Sequence, residues 1–410
     1  MSSIGEIDRT VASPTRATAL LLLVLMAGAA LRIAVNDVNE YSPDDEAVYV
    51  RTTAFLCQHG WTRYPTLVHD YLANRDAWLY PHPMRWGYFA LTTLACTLST
   101  KCDARTLADL STAAGILSIL LIFLFGRELL GDEVALIAAA LAVTSPLQLA
   151  MGRRALQDEV FCASVLLTLW LCARVVRATE ATSRRRLLLT AAVAAMTMTL
   201  AIKESSVLLF PAFLLFFFAL APSPRRRALP GIAAMLVLPP LLHAVVTVVL
   251  CGGLRAYLNL LTIVLTAASS INSSFALQYS SGPFHRPLFD LVILSPLVMV
   301  LAIAGAARRR RDRALDALSL FAAATLIVFG LLALKNVRYV IPVDPVARLL
   351  AASVLASLPR RPWLVLGAIG VIAATELRLF FELFEMANIY DPLTESLLRA
   401  LGAIPQVPSE

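Results

Sequence analysis

Long apolar runs, each of roughly 16–23 residues, recur from one end of the chain to the other, and charged residues crowd into the gaps between them. A helix needs about 20 apolar residues to cross the hydrocarbon core of a bilayer. Lipid offers no partner for free backbone N–H and C=O groups, so runs of this length predict helices. No two-residue alternation suggests a barrel. The pattern predicts an all-α, polytopic transmembrane protein. Its first run, Ala17 to Val35, follows Arg9 and Arg16 and contains Ala27-Gly28-Ala29, which has the small-residue character of a cleavage site. The run exceeds the roughly 7–15-residue apolar core of a signal peptide, so it reads as an uncleaved first span.

The basic residues orient the spans. Arg184-Arg185-Arg186, Arg225-Arg226-Arg227, Arg308 to Arg311 and Arg360-Arg361 all flank apolar runs, as cytoplasmic loops do under the positive-inside rule. With these inside, the runs pair into hairpins that turn on the outer side near Lys203, across 251–287 and near 335–343. Working backwards, 159–176 starts outside, so 152–158 is an outer loop. The span 134–151 then rises from a cytoplasmic turn at Gly131-Asp132, and 106–126 descends from outside. This leaves Arg85 to Thr100 with both ends outside, and it reads as an interfacial helix. About 11 spans result, with an inner N-terminus and an outer C-terminus. The first outer loop, 36–105, is too long for a connector and should carry helices of its own.

Composition agrees. Hydrophobic residues make up 59% of the 410 and charged residues only 15%, against about 25% charged in soluble domains. The net charge of +7 raises nucleic acid as a partner, but no basic domain or aromatic platform accompanies it, and nucleic acid is excluded. Six cysteines lack metal-ligand spacing. Cys162 and Cys172 lie within a span as packing residues. Cys57, Cys96, Cys102 and Cys251 fall on the outer side, where pairing cannot be deduced from spacing. No internal repeat is evident, which weakens a transporter built from inverted repeats.

Chemistry-bearing residues gather at the outer helix ends. Ser42-Pro43-Asp44-Asp45-Glu46 reads as a cap, a first-turn proline and acids placed favourably for the helix dipole. One acid suffices for that, and three at a membrane face are also where a general base or a metal is wanted. In Gly152-Arg153-Arg154-Ala155-Leu156-Gln157-Asp158-Glu159, Arg154 and Asp158 are four apart and would share a helix face. This is either a surface ion pair or a carboxylate for a metal with an arginine for a phosphate. Lys203-Glu204 could snorkel to the interface or meet a lipid phosphate. Lys335-Asn336-Val337-Arg338-Tyr339 puts two basic residues in an outer turn, against the positive-inside trend, and anion binding explains them. In Tyr80-Pro81-His82-Pro83-Met84-Arg85 the prolines enforce an extended entry, with His82 read first as structural. Together these groups suit an anionic, lipid-borne substrate.

The order of motifs resembles the GT-C superfamily of membrane glycosyltransferases. It is closest to the glycosyltransferase-family-39-like branch with the protein O-mannosyltransferases and the lipid A aminoarabinose transferase. Leu31-Arg32 closes the first span and Ser-Pro-Asp-Asp-Glu-Ala-Val-Tyr opens the outer loop. Pro81-His82-Pro83 precedes the interfacial helix, and Ser145-Pro146 precedes Arg154 and Asp158. Leu200-Ala201-Ile202-Lys203-Glu204 and Arg338-Tyr339 with Pro342 follow. The resemblance is dense over 17–220 and thin beyond. It implies a catalytic module over 1–220, with the loop 36–105 and its juxtamembrane helices, and a variable module over 221–410 ending in a short outer tail. It also implies an inverting transfer from a polyprenyl-phosphate-linked sugar to a lipid, glycan or protein acceptor.

In that scheme Asp45 is the base for the acceptor hydroxyl, and Glu46 and Asp158 are ligands for a divalent Mg, Mn or Ca ion. Arg154, Lys203, Arg338, Tyr339 and His82 form the donor-phosphate site. The family's His-Pro-Pro is Pro-His-Pro here, which weakens His82, and Asp44 adds an acid to the family's Asp-Glu pair. The large outer domain of many relatives is missing. The expected location is the bacterial inner (plasma) membrane, in contact with membrane lipids and with the site outward. The alternative is a lipid or solute transporter or flippase, which would need polar groups within broken mid-membrane helices. The spans read as Leu, Ala, Val and Phe with charges at their ends.

Overall fold

The computed structural model describes residues 14–36, 43–178, 183–222, 228–269, 281–308, 312–358 and 362–386. Among them every regular element is helical. Seven helices are long and apolar enough to cross a membrane, and nine spans result if each of two sharply bent pairs counts once. The chain is an integral, multi-pass membrane protein. Two of the roughly 11 spans expected from the sequence, Glu204–Leu220 and Val343–Leu355, fall short of that length.

After the first span, α1 (Pro14–Ala34), the long loop that follows folds as expected into short helices. These are α2 (Pro43–His59), a 3-10 turn at Trp61–Arg63, α3 (Tyr64–Ala73), a second turn at Arg75–Leu79, and α4 (Trp86–Ser99). At about 1.5 Å per residue, the 14-residue α4 cannot span a bilayer alone. It runs beside α2 and against α9 (Ser183–Ile202). Gly87 permits that approach, since a Cβ there would stand 2.7 Å from Ala201 Cβ. The tail after Asp391-Pro392 lies outside the described residues.

The next long helix, α5 (Ala104–Leu130), starts at Asp103, whose side chain accepts from Thr106 N, and stops at Gly131, where φ is +94°. It packs against α6 (Asp132–Val143) and α8 (Asp158–Arg177). The expected span 134–151 is broken: α6 and α7 (Pro146–Gly152) meet at 60°. Pro146 lacks the N–H that would continue the ladder. The break orphans the last carbonyls of α6, and two buried arginines take them. Arg32 donates to Ala142 O at 3.1 Å and Val143 O at 3.2 Å, and Arg348 donates to Leu141 O. Gly115 of α5 leaves room for Arg32, because a Cβ there would lie 2.9 Å from its Nε.

The second half continues through α10 (Phe210–Leu220), α11 (Leu229–Leu250), α12 (Leu254–Ser269), α13 (Arg286–Leu294) and α14 (Pro296–Ala307). The last two bend by 119° at another Ser-Pro, Ser295-Pro296. Then come α15 (Arg313–Leu331), a 3-10 turn at Val337–Val340, α16 (Val343–Leu355) and α17 (Pro362–Phe380), which ends in a π turn at Phe381–Met386. The expectation that charges keep to the span ends fails here. Glu376 lies within the span Pro362–Met386 and is buried with Arg348 and Asp344 of α16. Arg348 forks onto both acids at 2.8–3.1 Å. Ser145 and Gln148 donate to Asp344, Thr144 donates to Glu376, and Arg348 donates to Ser295 Oγ. One ionic cluster thus holds both helix breaks together. The hydrophobic core is continuous across both halves, with α10 packed on α15 and α6 on α16.

Candidate active site

Asp45 and Glu46 occupy the first turn of α2, where free backbone N–H groups favour negative charge. Ser42, read as the cap, lies outside the described residues. Glu46 is buried, and its Oε1 accepts from Arg154 Nε at 2.8 Å. Arg154 does not share a helix face with Asp158, as the four-residue spacing predicted. α7 ends at Gly152 and α8 starts at Asp158, so Arg154 sits in the non-helical link between them. The new helix start gives Asp158 and Glu159 a favourable first turn and frees Arg154 to cross to α2.

Asp158 is the hub. Lys203, at the turn between α9 and a 3-10 segment at Glu204–Leu209, donates to Asp158 Oδ1 at 2.6 Å. Arg338, in the turn Val337–Val340, lies 3.7 Å from Asp158 Oδ2 and 3.7 Å from Asp45 Oδ2. The Lys203 ammonium also stands over the rings of Phe161 and Tyr339, at 5.1 and 5.0 Å. Two ion-pair networks therefore meet at adjacent acids: Glu46 takes Arg154, while Asp45 and Asp158 share Arg338. Exposure divides their members: Asp45 is 39% exposed, Arg154 and Arg338 15%, Lys203 2% and Asp158 1%.

Beside them lies an arch that the sequence showed without its partners. Arg85 binds Glu204 bidentately at 2.8 and 2.9 Å and donates to the Tyr49 hydroxyl. His82 Nε2 lies 3.0 Å from Glu204 Oε1, while its Nδ1 accepts from Met84 N. With both ring nitrogens engaged, His82 anchors the extended entry to the Lys203-Glu204 turn. Arg85 and Glu204 belong to quoted motifs but had no role in the sequence reading. Positive charge in a segment expected to lie outside was the signal for Arg85, the same signal that marked Arg338.

Burial pushes the Glu46 carboxyl above its usual range despite Arg154, and pulls the Lys203 amine below its usual range despite Asp158. Glu46 Oε2 and Asp158 Oδ2 are buried without hydrogen-bond partners. They are the two oxygens here that a divalent cation could use, although Arg154, Lys203 and Arg338 already oppose the charge of both acids.

Residues 82–251 match the family model described as dolichyl-phosphate-mannose-protein mannosyltransferase. No curated protein matches the chain in sequence. Among solved structures, ArnT from Cupriavidus metallidurans bound to undecaprenyl phosphate aligns with a TM-score of 0.60 at 18% identity, over 89% of this chain and 64% of ArnT. Its apo state gives 0.61 at 17%, over 94% and 68%. The archaeal oligosaccharyltransferase AglB from Archaeoglobus fulgidus, in complex with an inhibitory peptide and a dolichol-phosphate, gives 0.57 at 16%, over 96% of this chain and 56% of AglB. At these identities the likeness establishes the fold, and the chain spans only 64% of the length of undecaprenyl-phosphate-bound ArnT and 56% of AglB. The shared fold and the family match over 82–251 both agree with the GT-C likeness that the motif order implied.

Proposed function

We propose that the chain is an inverting glycosyltransferase. It moves a sugar from a polyprenyl-phosphate donor to an acceptor hydroxyl or phosphate at the outer face of the bacterial inner membrane. The observation that carries this reading is the convergence of Asp45, Glu46, Arg154, Asp158 and Arg338 from four separate segments, with the carboxylate of Asp45 open to solvent. The undecaprenyl phosphate bound to ArnT and the dolichol-phosphate bound to AglB support a lipid phosphate as the donor carrier. Residues 1–220 would be the catalytic module, with Arg338 and Tyr339 contributed by the variable module.

In this mechanism Asp45 takes the proton of the acceptor hydroxyl. The oxygen attacks the anomeric carbon as the bond from that carbon to the phosphate oxygen breaks, and a single displacement inverts the centre. The departing phosphate gains charge, which Arg338 and Arg154 are placed to meet. Lys203 donates to Asp158 and holds it in place, and its other ammonium N–H groups would meet the phosphate. Tyr339 stacks over Lys203, and His82 fixes the entry segment. A divalent ion would be held at Glu46 Oε2 and Asp158 Oδ2, where it would add electrophilic stabilisation to the leaving phosphate.

The test is purified protein incubated with polyprenyl-phosphate sugars and acceptors, followed by mass spectrometry. Transfer with inversion is expected. Movement of lipid between leaflets without sugar transfer would favour the transporter reading instead. That reading draws on the two bent helix pairs, but every carboxylate oxygen of Asp344 and Glu376 at those bends already has a donor.

A further inference from the structure

We propose that Cys57, Cys96 and Cys102 form a binding site for a soft, thiophilic cation of the Zn(II) or Cu(I) type, which staples α2 to α4 and to the start of α5. Their sulfur atoms all lie within 4.8 Å of one another. A metal about 2.3 Å from each sulfur sets the sulfurs roughly 3.8 Å apart, so side-chain rotation closes the site. Among the described residues this is the one group of three His, Cys, Asp or Glu ligand atoms gathered so closely.

The fold brings these sulfurs together by a regular ladder. Tyr49 packs on Tyr88 with ring centroids 4.9 Å apart, and Thr53 shares a 2.8 Å hydrogen bond with Thr92. Cys57 against Cys96 is the next rung, four residues further along each helix. Cys102 then returns to the pair through a tight turn. Thr100 there is the only non-glycine residue with positive φ among the described residues, and Asp103 caps α5 just beyond.

Packing alone does not explain the trio, because Cys57 is exposed and Cys102 half-buried. A disulfide between any two would leave a third thiol beside it, an arrangement prone to exchange. Three soft donors are a ligand set for thiophilic metals. Cysteine binds such ions as the thiolate, so binding must release protons, and affinity should fall as pH falls. Twelve residues of α2, roughly 18 Å of helix, separate Cys57 from Asp45, so the ion is structural and stands apart from any transfer chemistry.

Reduced full-length protein in detergent, titrated with Zn(II) and separately with Cu(I), tests this. One equivalent of at least one ion should survive gel filtration, with a raised thermal midpoint and proton release. Cys96→Ser should lose all three effects, whereas Cys172→Ser and Cys251→Ser should keep them. Cys57→Ser serves the same purpose at an exposed position if Cys96→Ser does not fold. Retention of neither ion above the Cys57→Ser level would overturn the proposal. So would peptide mapping that finds two of the three joined in a disulfide in most molecules purified without reductant.

Discussion

Around Arg348 every charged oxygen has its donors, whereas around Asp158 two do not. Both clusters are buried, ionic and assembled from distant segments. In the first, Asp344 accepts from Arg348, Ser145 and Gln148, and Glu376 accepts from Arg348 and Thr144. In the second, Glu46 Oε2 and Asp158 Oδ2 lack hydrogen-bond partners and Asp45 reaches solvent. An unsatisfied buried polar atom costs free energy, so a cluster used only to join helices is expected to be saturated. Under the proposed function, the difference separates joinery from a place left open for a ligand. It also removes the weight that buried charge alone gave to a transporter.

Substitutions should divide along the same line. Asp45→Asn keeps the size of the side chain and removes the proposed base. Turnover should fall by about 10²–10⁴-fold, the usual loss for a general base, while the thermal midpoint stays within error. Near-normal turnover would end the assignment. Arg348→Met should do the reverse. It strands two buried acids and should cost about 3–5 kcal/mol of stability, read as a lower thermal midpoint, while the folded fraction keeps its specific activity. Replacing Arg348, Asp344 and Glu376 together with apolar residues of similar volume should recover most of that loss. No such rescue is expected at Asp45, Glu46 and Asp158, and an active triple variant there would erase the distinction.

A smaller effect separates members of the open cluster. Arg338 faces Asp45 and Asp158 and is partly exposed. Arg338→Met removes a charged hydrogen-bonding group worth about 1.5–3 kcal/mol. The value of kcat/KM should therefore drop roughly 10–100-fold, with most of the change in the KM for the lipid donor. An effect confined to stability would move Arg338 into the structural class.

The sequence made the helices legible because lipid enforces them, and apolar length marked where they lie. The helices of the 36–105 loop followed from its length, and the gathering of Asp45, Glu46, Arg154, Asp158, Lys203 and Arg338 followed from threading the charges. Their pairing was not legible. Arg154 and Asp158 looked like neighbours on a helix, but the chain breaks between them and the true partner of Arg154 is Glu46, 108 positions away. The Arg348 cluster went unread although its signals were present: Asp344 and Arg348 stand four apart, and Glu376 is an acid inside an apolar run. What tied them to Ser145 and Ser295 was the bending of two spans, and a proline in an apolar run fixes neither the angle nor the neighbour.

The smallest expected effect concerns Glu46, where the two kinds of cluster meet in one residue. Its Oε1 is satisfied by Arg154 and its Oε2 is not. Burial outweighs the arginine and holds its carboxyl above the usual range. The folded protein therefore keeps this proton at pH values where the unfolded chain has lost it. Stability from this group must fall as pH rises from the ordinary carboxylate range through the raised value, and then level off. Glu46→Gln keeps an acceptor for Arg154 and removes the titration. The thermal midpoint of the wild type minus that of the variant should thus decline across this interval. A difference that stays flat would mean Glu46 is as well satisfied as Asp344, and would move it out of the open cluster.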